Sequence, residues 1–359
     1  MAYDEAECSA PERAVKEARA AEEAQKTREQ LQEEWENRGP QPPHIPDEDI
    51  IRHRPQWFKE ALDAPRTEHW LEVDGAKIHY YRWGNDDPNR PGVLFVHGNG
   101  AHANWFHFIA PLISDRYNVA SMDLGGMGDS EWRKSYSRDS FAHEIGQVAL
   151  AANLGPKPVI CGHSFGGFVT LIAGKHYGDR LGGLILADFT VRPKEDAHEW
   201  FTRPDQPKRR PTRIYPDLES AVARFRLAPL QVCANQFVID YIAPLSLREV
   251  KKGDNPGRAP SDEAGWTWKF DGPAFNGLEM GDDHAEIYAN LPCKAASFFG
   301  QYSKDYEPDR LDFIRGLRPG SPVFTIAGAQ HHIMLDQPHA FAAAVASLMG
   351  QWEADGALS

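Results

Sequence analysis

Six short apolar runs, separated by stretches with helical periodicity, dominate the pattern of hydrophobic and polar positions after residue 90. The runs are V-L-F-V (93–96), N-V-A-S-M (118–122), V-I-C (159–161), L-I-L-A (184–187), A-A-S-F-F (295–299) and V-F-T-I-A (323–327). Uninterrupted apolar runs of this length are typical of strands that are covered on both faces. Helices are predicted between and after them, at 105–115, 140–153, 166–177 and 341–349. This alternation predicts an α/β fold with a mostly parallel central sheet flanked by helices.

Two segments depart from the alternation. Residues 67–84 alternate polar and apolar positions and turn at Asp74-Gly75, which predicts a leading β-hairpin. Between Asp188 and Leu291, roughly 100 residues contain many aromatic side chains but no clear buried strand, and a structureless loop of that length is uncommon in a compact domain. We therefore predict a helical lid at 190–291, inserted after the sixth strand, between two parts of the core at 51–189 and 292–359.

Residues 1–50 differ in composition from the rest of the chain. They contain 14 acidic and 6 basic residues, and they are rich in alanine, glutamate and glutamine up to residue 38. A Pro/Gly cluster at 39–43 cannot continue a helix. The segment is predicted to be a charged helical arm, either loosely attached, packed on a partner subunit or placed over the active-site mouth. A homo-oligomer formed through this arm is one of these alternatives.

Charge and cysteine content narrow the class of protein. The net charge of -13 over 359 residues argues against a nucleic-acid binder, which needs a basic face. The four cysteines (Cys8, Cys161, Cys233, Cys293) form no C-x-x-C pair, so neither a zinc site nor a redox motif is predicted. The sequence has no apolar run of 18 residues and no apolar segment at its start that would predict a signal peptide. We expect a cytoplasmic protein that has no membrane contact.

A single serine stands in a glycine-rich turn after the third parallel run. The stretch V-I-C-G-H-S-F-G-G-F at 159–168 places Ser164 between Gly162 and Gly166, with a helical pattern following. Strand, G-x-S-x-G and helix is the setting of a nucleophile elbow, in which small neighbours let strand and helix approach each other. The serine then lies at a helix N-terminus, where backbone N–H groups favour developing negative charge. Ser164 is the predicted nucleophile.

A serine nucleophile requires a base and oxyanion donors, and both have candidates elsewhere in the chain. The first parallel run leads into H-G-N-G at 97–100, so the N–H groups of Asn99 and Phe165 are the predicted oxyanion donors. The last run leads into G-A-Q-H-H-I-M-L-D-Q-P at 328–338, where the chain order Ser, Asp, His places the base. His331 and His332 stand side by side there, and spacing alone does not separate them.

Together these motifs, with M-D-L-G-G-M-G-D-S at 122–130, resemble the α/β-hydrolase superfamily, in its lid-bearing branch, over residues 67–350. The resemblance implies His331 as the base, because only His331 places Leu335, Gln337 and Pro338 at the family's usual offsets. In the second motif the family usually has an arginine where this chain has Gly125, which is expected to change packing near the nucleophile but removes no catalytic group.

The resemblance leaves two aspartates open as the acid that orients the base. The family's usual position, after a strand and Gly-x-x, is occupied here by Ser303, with Asp305 two residues later. One branch of the family carries the acid at the end of the preceding strand, about 24 residues after the nucleophile, and Asp188 stands at that spacing from Ser164. We predict Asp188, with Asp305 as the alternative.

The resemblance implies a serine hydrolase that acts through an acyl-enzyme and needs neither a metal nor an organic cofactor. A small or medium apolar ester or lactone is the expected substrate. Trp266 and Trp268 of the lid are candidates for lining its pocket, although they could equally form lid core. The alternatives are a carbon–carbon bond hydrolase of a vinylogous diketone and a non-catalytic ligand-binding member of the fold.

Overall fold

The structure is a computed structural model that describes residues 44–196, 213–254 and 262–359. The predicted arm therefore lies outside the described residues up to Pro43, and with it any oligomer contact. Within the described residues the strands are β1 (Thr67–Val73), β2 (Ala76–Trp83), β3 (Gly92–Val96), β4 (Asn118–Met122), β5 (Val159–His163), β6 (Gly183–Ala187), β7 (Leu247–Val250), β8 (Gly265–Trp268), β9 (Lys294–Gly300) and β10 (Val323–Ile326).

Helices lie between most of these strands. The α-helices are α1 (Gln56–Asp63), α2 (Arg138–Ala151), α3 (Phe165–Tyr177), α4 (Leu218–Val222), α5 (Gln236–Leu245), α6 (His284–Ala289), α7 (Pro308–Leu317), α8 (Ile333–Asp336) and α9 (Pro338–Ala354). Short 3₁₀ helices are present at Asp47–Asp49, Ala103–Phe106, Ala110–Leu112, Gly178–Arg180 and Gly272–Phe275. In the described ranges, every helix is too short or too polar to cross a bilayer.

Eight strands form the central sheet, in the order β1-β2-β4-β3-β5-β6-β9-β10. β1 pairs antiparallel with β2, and β2 pairs antiparallel with β4. All other neighbours are parallel. The predicted fold class is confirmed, since all six apolar runs are strands of this sheet and the hairpin leads it. The loops that follow β3, β5, β6, β9 and β10 leave the sheet at the same edge, where ligand sites of parallel sheets lie.

Both faces of the parallel strands are buried, which explains why their sequences do not alternate. In β3, Val93 and Phe95 belong to one hydrophobic cluster, whereas Leu94 and Val96 belong to another on the opposite face. Helix α9 covers the first face, and α2 and α3 cover the second. An apolar residue is therefore required at every position of such a strand.

Two predicted segments differ in the structure. The α-helix predicted at 105–115 is absent, and two 3₁₀ helices at Ala103–Phe106 and Ala110–Leu112 lie there instead. Pro111, in the second of them, has no N–H to donate to an α-helical hydrogen bond. The predicted helical lid, between β6 and β9, holds α4, α5 and α6 but also the antiparallel pair β7–β8. The lid is thus only partly helical, because Trp266 and its neighbours pair with β7 in a two-stranded sheet.

Gly125, where the resemblance expects an arginine, lies against a buried carboxylate. Its N–H donates to Glu144 Oε2 at 2.8 Å, and a side chain at Gly125 would collide with this group. Arg133 supplies the guanidinium from eight positions further along the chain, with its Nε 2.7 Å from Glu144 Oε1. Arg133 also donates to the carbonyls of Val73 and Asp74, so it ties the hairpin to α2.

Replacing Arg133 by leucine should destabilise the protein most at alkaline pH. Burial raises the pKa of Glu144 to about 7 despite its bonds to Gly125 and Arg133, so the folded protein favours the protonated acid. Without Arg133, an ionised Glu144 is left unpaired, which costs about 3–5 kcal/mol. Below the raised pKa the acid is neutral, and the loss should shrink. Urea unfolding at about pH 5.5 and about pH 8.5 measures this difference.

The double variant Arg133→Leu/Glu144→Gln is the control for that measurement. It removes the buried charge and should lose only the pH-independent share that comes from the carbonyls of Val73 and Asp74. Equal losses for the single variant at both pH values would contradict an ionic role for Arg133.

Candidate active site

Ser164 occupies a strained turn between β5 and α3. Its φ of 54° and ψ of -120° lie in a region that non-glycine residues seldom adopt. The turn is held by the Ser164 N–H, which donates to the carbonyl of Ala187 in β6 at 2.8 Å. The serine is therefore presented at the N-terminus of α3, where it and Phe165 are partly exposed, while Gly162, His163 and Gly166 are buried.

The two glycines that flank the serine leave no room for side chains. A Cβ at Gly166 would stand 2.5 Å from the carbonyl oxygen of Val96 in β3. A Cβ at Gly162 would collide with the carbonyl of Gly166 and with the hydroxyl of Thr170. The G-x-S-x-G pattern is thus a packing requirement, because β3, β5 and α3 meet there backbone to backbone.

His331, in the loop after β10, reaches the serine from the other side. Its Nε2 lies 2.9 Å from Ser164 Oγ. The neighbouring His332 does not make this contact; it is buried and packs its ring against Trp105, with ring centroids 5.3 Å apart. Of the two histidines considered from the sequence, the structure brings His331 to the nucleophile.

Asp188, which follows β6, contacts the other ring nitrogen of His331. Its Oδ2 is 3.1 Å from His331 Nδ1, and its side chain is fully buried. The residue has a positive φ of 49°, and its N–H donates to the carbonyl of Phe298 at 2.7 Å. Ser303, which fills the position expected for the acid, lies beside the Asp188 carboxylate and favours its ionised form.

Asp305, the alternative acid, is committed elsewhere. Its Oδ1 lies 3.0 Å from Nη2 of Arg192 and 3.4 Å from Nη1 of Arg310. Its backbone N–H donates to the Ser303 hydroxyl at 3.1 Å. Asp305 therefore reaches His331 only through its charge, whereas Asp188 is in contact with the ring.

Asp188 and His331 shift each other's pKa. Burial raises the pKa of Asp188, although the close contact and charge of His331 oppose this shift. Burial lowers the pKa of His331, but the close contact and charge of Asp188 outweigh it, so the pKa of His331 is raised above 6.5. Asp305 and Asp336 add smaller contributions in the same direction. The pairing stabilises a protonated His331, which is the form a general base reaches after it accepts a proton.

The loop at 97–100 lies directly against the nucleophile turn. A Cβ at Gly98 would be 3.3 Å from the Cβ of Ser164. His97 fixes this loop, since its Nδ1 lies 2.7 Å from the Gly98 carbonyl and its Nε2 accepts the N–H of Leu124 at 3.1 Å. Phe165 begins α3, so its N–H has no carbonyl partner within the helix. The predicted oxyanion donors, Asn99 and Phe165, are thus on segments that meet at Ser164.

The lid places other aromatic residues near the serine than those chosen from the sequence. Trp268 stacks edgewise on Tyr215 and packs on Phe225, both lid residues, and Trp266 pairs by its backbone with Tyr215. By contrast, the ring of Phe275 is 5.3 Å from that of Phe165, the residue after the nucleophile. Nothing in the local sequence distinguishes Phe275 from the other lid aromatics; the contact depends on tertiary packing.

A lid segment also holds the loop that carries His331. Gln231 accepts the N–H of His332 at 3.0 Å and donates to both carboxylate oxygens of Asp336 at 3.0 Å. Asp336 in turn accepts the N–H of Gln330 at 2.8 Å. Gln330 donates from its side chain to the carbonyl of Val232 at 2.9 Å. These bonds fix the backbone on both sides of His331, and the sequence motif gave no sign of their partners.

Two groups of side chains in the described ranges have the spacing of metal ligands. His79, Asp123 and Asp129 form the first. Its central carboxylate is already held by three groups of the protein, since Asp123 accepts the N–H groups of Ala103 and Asp129 and contacts His79 Nδ1 at 2.7 Å. These contacts tie β2, β4 and the following loops together. The second, His163 with His331 and His332, surrounds the candidate base.

Comparison with known proteins agrees with this architecture. Residues 93–344 match the family model described as "Alpha/beta hydrolase family". A lipase of Mycobacterium tuberculosis is 34% identical over 115 residues, which are 32% of this chain and 42% of the lipase. A haloalkane dehalogenase of Sphingobium indicum is 23% identical over 296 residues, which cover 78% of this chain and 94% of the relative.

A solved structure, of an esterase from Mycobacterium tuberculosis, superposes with a TM-score of 0.62 at 18% identity. It covers 82% of this chain and 95% of the esterase. Among the curated relatives, those that are about a third identical to this chain are matched over about two fifths of their own length.

A methyl group at Gly166 should damage both stability and the site. In the variant Gly166→Ala, the new Cβ would press on the carbonyl of Val96, and overpacking of this kind costs about 1–3 kcal/mol. The turn would also move Ser164 away from His331. Thermal unfolding and labelling of Ser164 by a fluorophosphonate probe measure the two effects. The unfolding temperature and the labelling rate should both fall.

Gly316→Ala is the matched control, because Gly316 lies in α7 and its Cβ would meet nothing within 4 Å. Alanine in a helix is favoured over glycine by about 1 kcal/mol, so this variant should be at least as stable as the parent. If both variants unfolded at the temperature of the parent, the packing argument for the turn would be wrong.

Proposed function

Since the chain belongs to the alpha/beta hydrolase family, we propose that it is a serine hydrolase that cleaves a carboxylic ester or a lactone of a small or medium apolar substrate. The observation that carries the proposal is the 2.9 Å separation of Ser164 Oγ and His331 Nε2, with Asp188 on the other ring nitrogen. A hydroxyl at hydrogen-bond distance from a held imidazole is the arrangement of an activated nucleophile.

These contacts support the following reaction. His331 takes the hydroxyl proton of Ser164 as the oxygen attacks the carbonyl carbon, and the N–H groups of Asn99 and Phe165 stabilise the oxyanion. Asp188 keeps the proton of His331 on Nδ1 and stabilises the imidazolium that forms. His331 then passes its proton to the leaving alcohol. Water, deprotonated by the same imidazole, releases the acid from the acyl-enzyme and restores Ser164.

The residue at the turn separates this reaction from that of the dehalogenase relative. In the family's haloalkane dehalogenases and epoxide hydrolases the nucleophile is an aspartate, which forms an alkyl ester with the substrate. This chain has Ser164 at that position. A serine oxygen attacks an acyl carbon, so acyl transfer to water is the reaction that this nucleophile supports.

An apolar substrate is supported by the side chains near the nucleophile. The rings of Phe165, Phe275 and Phe141 pack in contact with one another, with centroid separations of 5.3 to 6.0 Å. Phe189, the residue after Asp188, packs on Phe168 of α3. Phe141 and Phe168 are fully buried, whereas Phe165, Phe189 and Phe275 are only partly buried and offer apolar surface near Ser164 and Asp188. A substrate-binding role for Trp266 and Trp268 stays a prediction that depends on how the lid meets the substrate.

Hydrolysis of a short-chain p-nitrophenyl ester tests the proposal. The purified full-length protein should turn the ester over with a burst of p-nitrophenol, and Ser164→Ala should lose activity by a factor of about 10⁶. Turnover that survives in Ser164→Ala would contradict the serine mechanism. If the parent protein lacks turnover but reacts with a fluorophosphonate at Ser164, the narrower carbon–carbon hydrolase is favoured, and absence of both reactions favours a ligand-binding role.

Replacing the two aspartates separately tests the acid. Asp188→Asn should lower kcat by about 10⁴, because the amide favours the wrong tautomer of His331. Asp305→Asn, the matched control, should retain most of the rate. A rate loss confined to Asp305→Asn would make Asp305 the acid.

The pH dependence of kcat/KM gives a second test of the same assignment. His331 must be neutral to act as a base, so activity should fall as the pH drops through its pKa. Because this pKa is raised, the acid limb of the profile should lie above pH 6.5. Asp188→Asn removes the largest interaction that raises this pKa, and its residual activity should therefore persist to lower pH. An acid limb that does not move would mean that Asp188 does not act on His331.

A further inference from the structure

Three imidazole rings meet behind the nucleophile. His163, from the end of β5, and His331 and His332, from the loop after β10, each offer one nitrogen within 4.8 Å of the other two. Their ring centroids are 4.9 to 5.4 Å apart. The acyl-transfer mechanism uses only His331, so two buried histidines at this site have no role in it.

The two unused histidines carry buried nitrogens without hydrogen-bond partners. His163 donates from Nε2 to the carbonyl of His331 at 2.9 Å, which leaves a lone pair on Nδ1, and this atom has no partner among the described residues. Both ring nitrogens of His332 likewise have no hydrogen-bond partner among the described residues. The residues themselves are 1% and 3% exposed. Buried polar atoms usually have partners, because an unpaired one costs about 1–3 kcal/mol.

The carbonyl of Pro229 is the acceptor that influences the His332 ring, yet it forms no hydrogen bond of ordinary geometry. One nitrogen of His332 is therefore free to offer a lone pair, whichever tautomer the ring adopts. The Nδ1 atom of His163 lies against the loop at 97–100, on the side where that loop also meets Ser164, since a Cβ on Gly98 would lie 3.1 Å from this atom and 3.3 Å from the Cβ of Ser164.

We propose that His163, His331 and His332 form a binding site for a divalent transition metal of the zinc class, and that the bound ion inhibits the enzyme. Imidazole nitrogen is a preferred ligand of Zn²⁺, Cu²⁺ and Ni²⁺. Three such ligands with a fourth position left for water is an arrangement that zinc adopts in proteins. Zn–N bonds of about 2.0–2.1 Å require the rings to turn toward a common point. The inhibition rests on the proposed role of His331 as the base, whereas the binding does not.

Coordination at either nitrogen of His331 stops acyl transfer. An ion on Nε2 occupies the lone pair that accepts the proton of Ser164. An ion on Nδ1 instead separates the ring from Asp188 and forces the other tautomer. The site can be reached from solvent at this residue, because the His331 side chain is 13% exposed and Ser164 is partly exposed.

Calorimetric titration of the full-length, chelator-treated protein with Zn²⁺ tests the binding. The parent should bind about one ion tightly. His332→Phe keeps a ring against Trp105 but removes a ligand, so it should weaken the binding by about tenfold to a hundredfold. His332→Gln serves as a second variant if the phenylalanine variant is unstable. Ser164→Ala should bind as the parent does. His176→Gln, at an exposed histidine of α3, is the matched control and should leave the affinity unchanged.

Hydrolysis of the p-nitrophenyl ester tests the inhibition, with each variant compared with its own rate in the presence of EDTA. Zn²⁺ should inhibit the parent and His176→Gln reversibly, and His332→Phe should need at least about ten times more metal for the same inhibition. Visible absorption of the Co²⁺-loaded parent should show the bands of a tetrahedral, nitrogen-rich site, and these should be lost in His332→Phe.

The results separate failure of this proposal from failure of the proposed function. Equal zinc affinity in the parent and in both His332 variants would overturn the site. Inhibition that persists undiminished in the His332 variants would place the inhibitory ion elsewhere and would also overturn it. A parent that binds zinc through His332 but hydrolyses no ester would support the site and contradict the ester hydrolase. Zinc that increased the rate of the parent would overturn the inhibitory role.

Discussion

Gly166 lies so close to the carbonyl of Val96 that β3, β5 and α3 meet with no side chain between them. The rest of the site depends on this contact. It places the first turn of α3 over the carboxyl ends of the central strands, so Ser164 adopts a positive φ and is turned outward. The same approach brings the loop at 97–100 against the serine. A strained residue of this kind persists only where the surrounding packing determines it, and here three buried elements do so.

Ser164 and Asp188, the proposed nucleophile and acid, are coupled through neighbouring strands. Ser164 donates its N–H to Ala187, and the next residue, Asp188, donates its own N–H to Phe298 of β9. Ser164 and Asp188, both with positive φ, therefore lie side by side just after the ends of β5 and β6. The sheet holds the backbones of Ser164 and Asp188, whereas His331 lies on a loop. Four hydrogen bonds to the lid segment hold that loop in place. Gln231 accepts the N–H of His332 and donates to both carboxylate oxygens of Asp336, and Gln330 donates to the carbonyl of Val232.

The sequence predicted the parts of the structure that depend on local pattern. The six strands followed from uninterrupted apolar runs, and Ser164 followed from glycines whose spacing is set by contact of neighbouring elements. Long-range partners could not be predicted. That Arg133 would serve the carboxylate behind Gly125, or that Ser303 would lie beside Asp188, depends on side chains from separate elements meeting in space. The β7–β8 pair was missed in the lid because its strands, L-R-E-V and G-W-T-W, mix polar and apolar positions and so lack the uninterrupted apolar run that marks the strands of the central sheet.

The lid is connected to the base by hydrogen bonds as well as by packing. Asp336 accepts from Gln231 of the lid and from the backbone of Gln330, one residue before His331. Burial raises the pKa of Asp336 to about 7, although the N–H groups around it favour the charged form. A displacement of the lid segment would remove these donors from a buried carboxylate and release the backbone beside the base together. The position of the lid segment and the alignment of His331 with Ser164 are thus physically linked, through hydrogen bonds that a purely steric cover would not need.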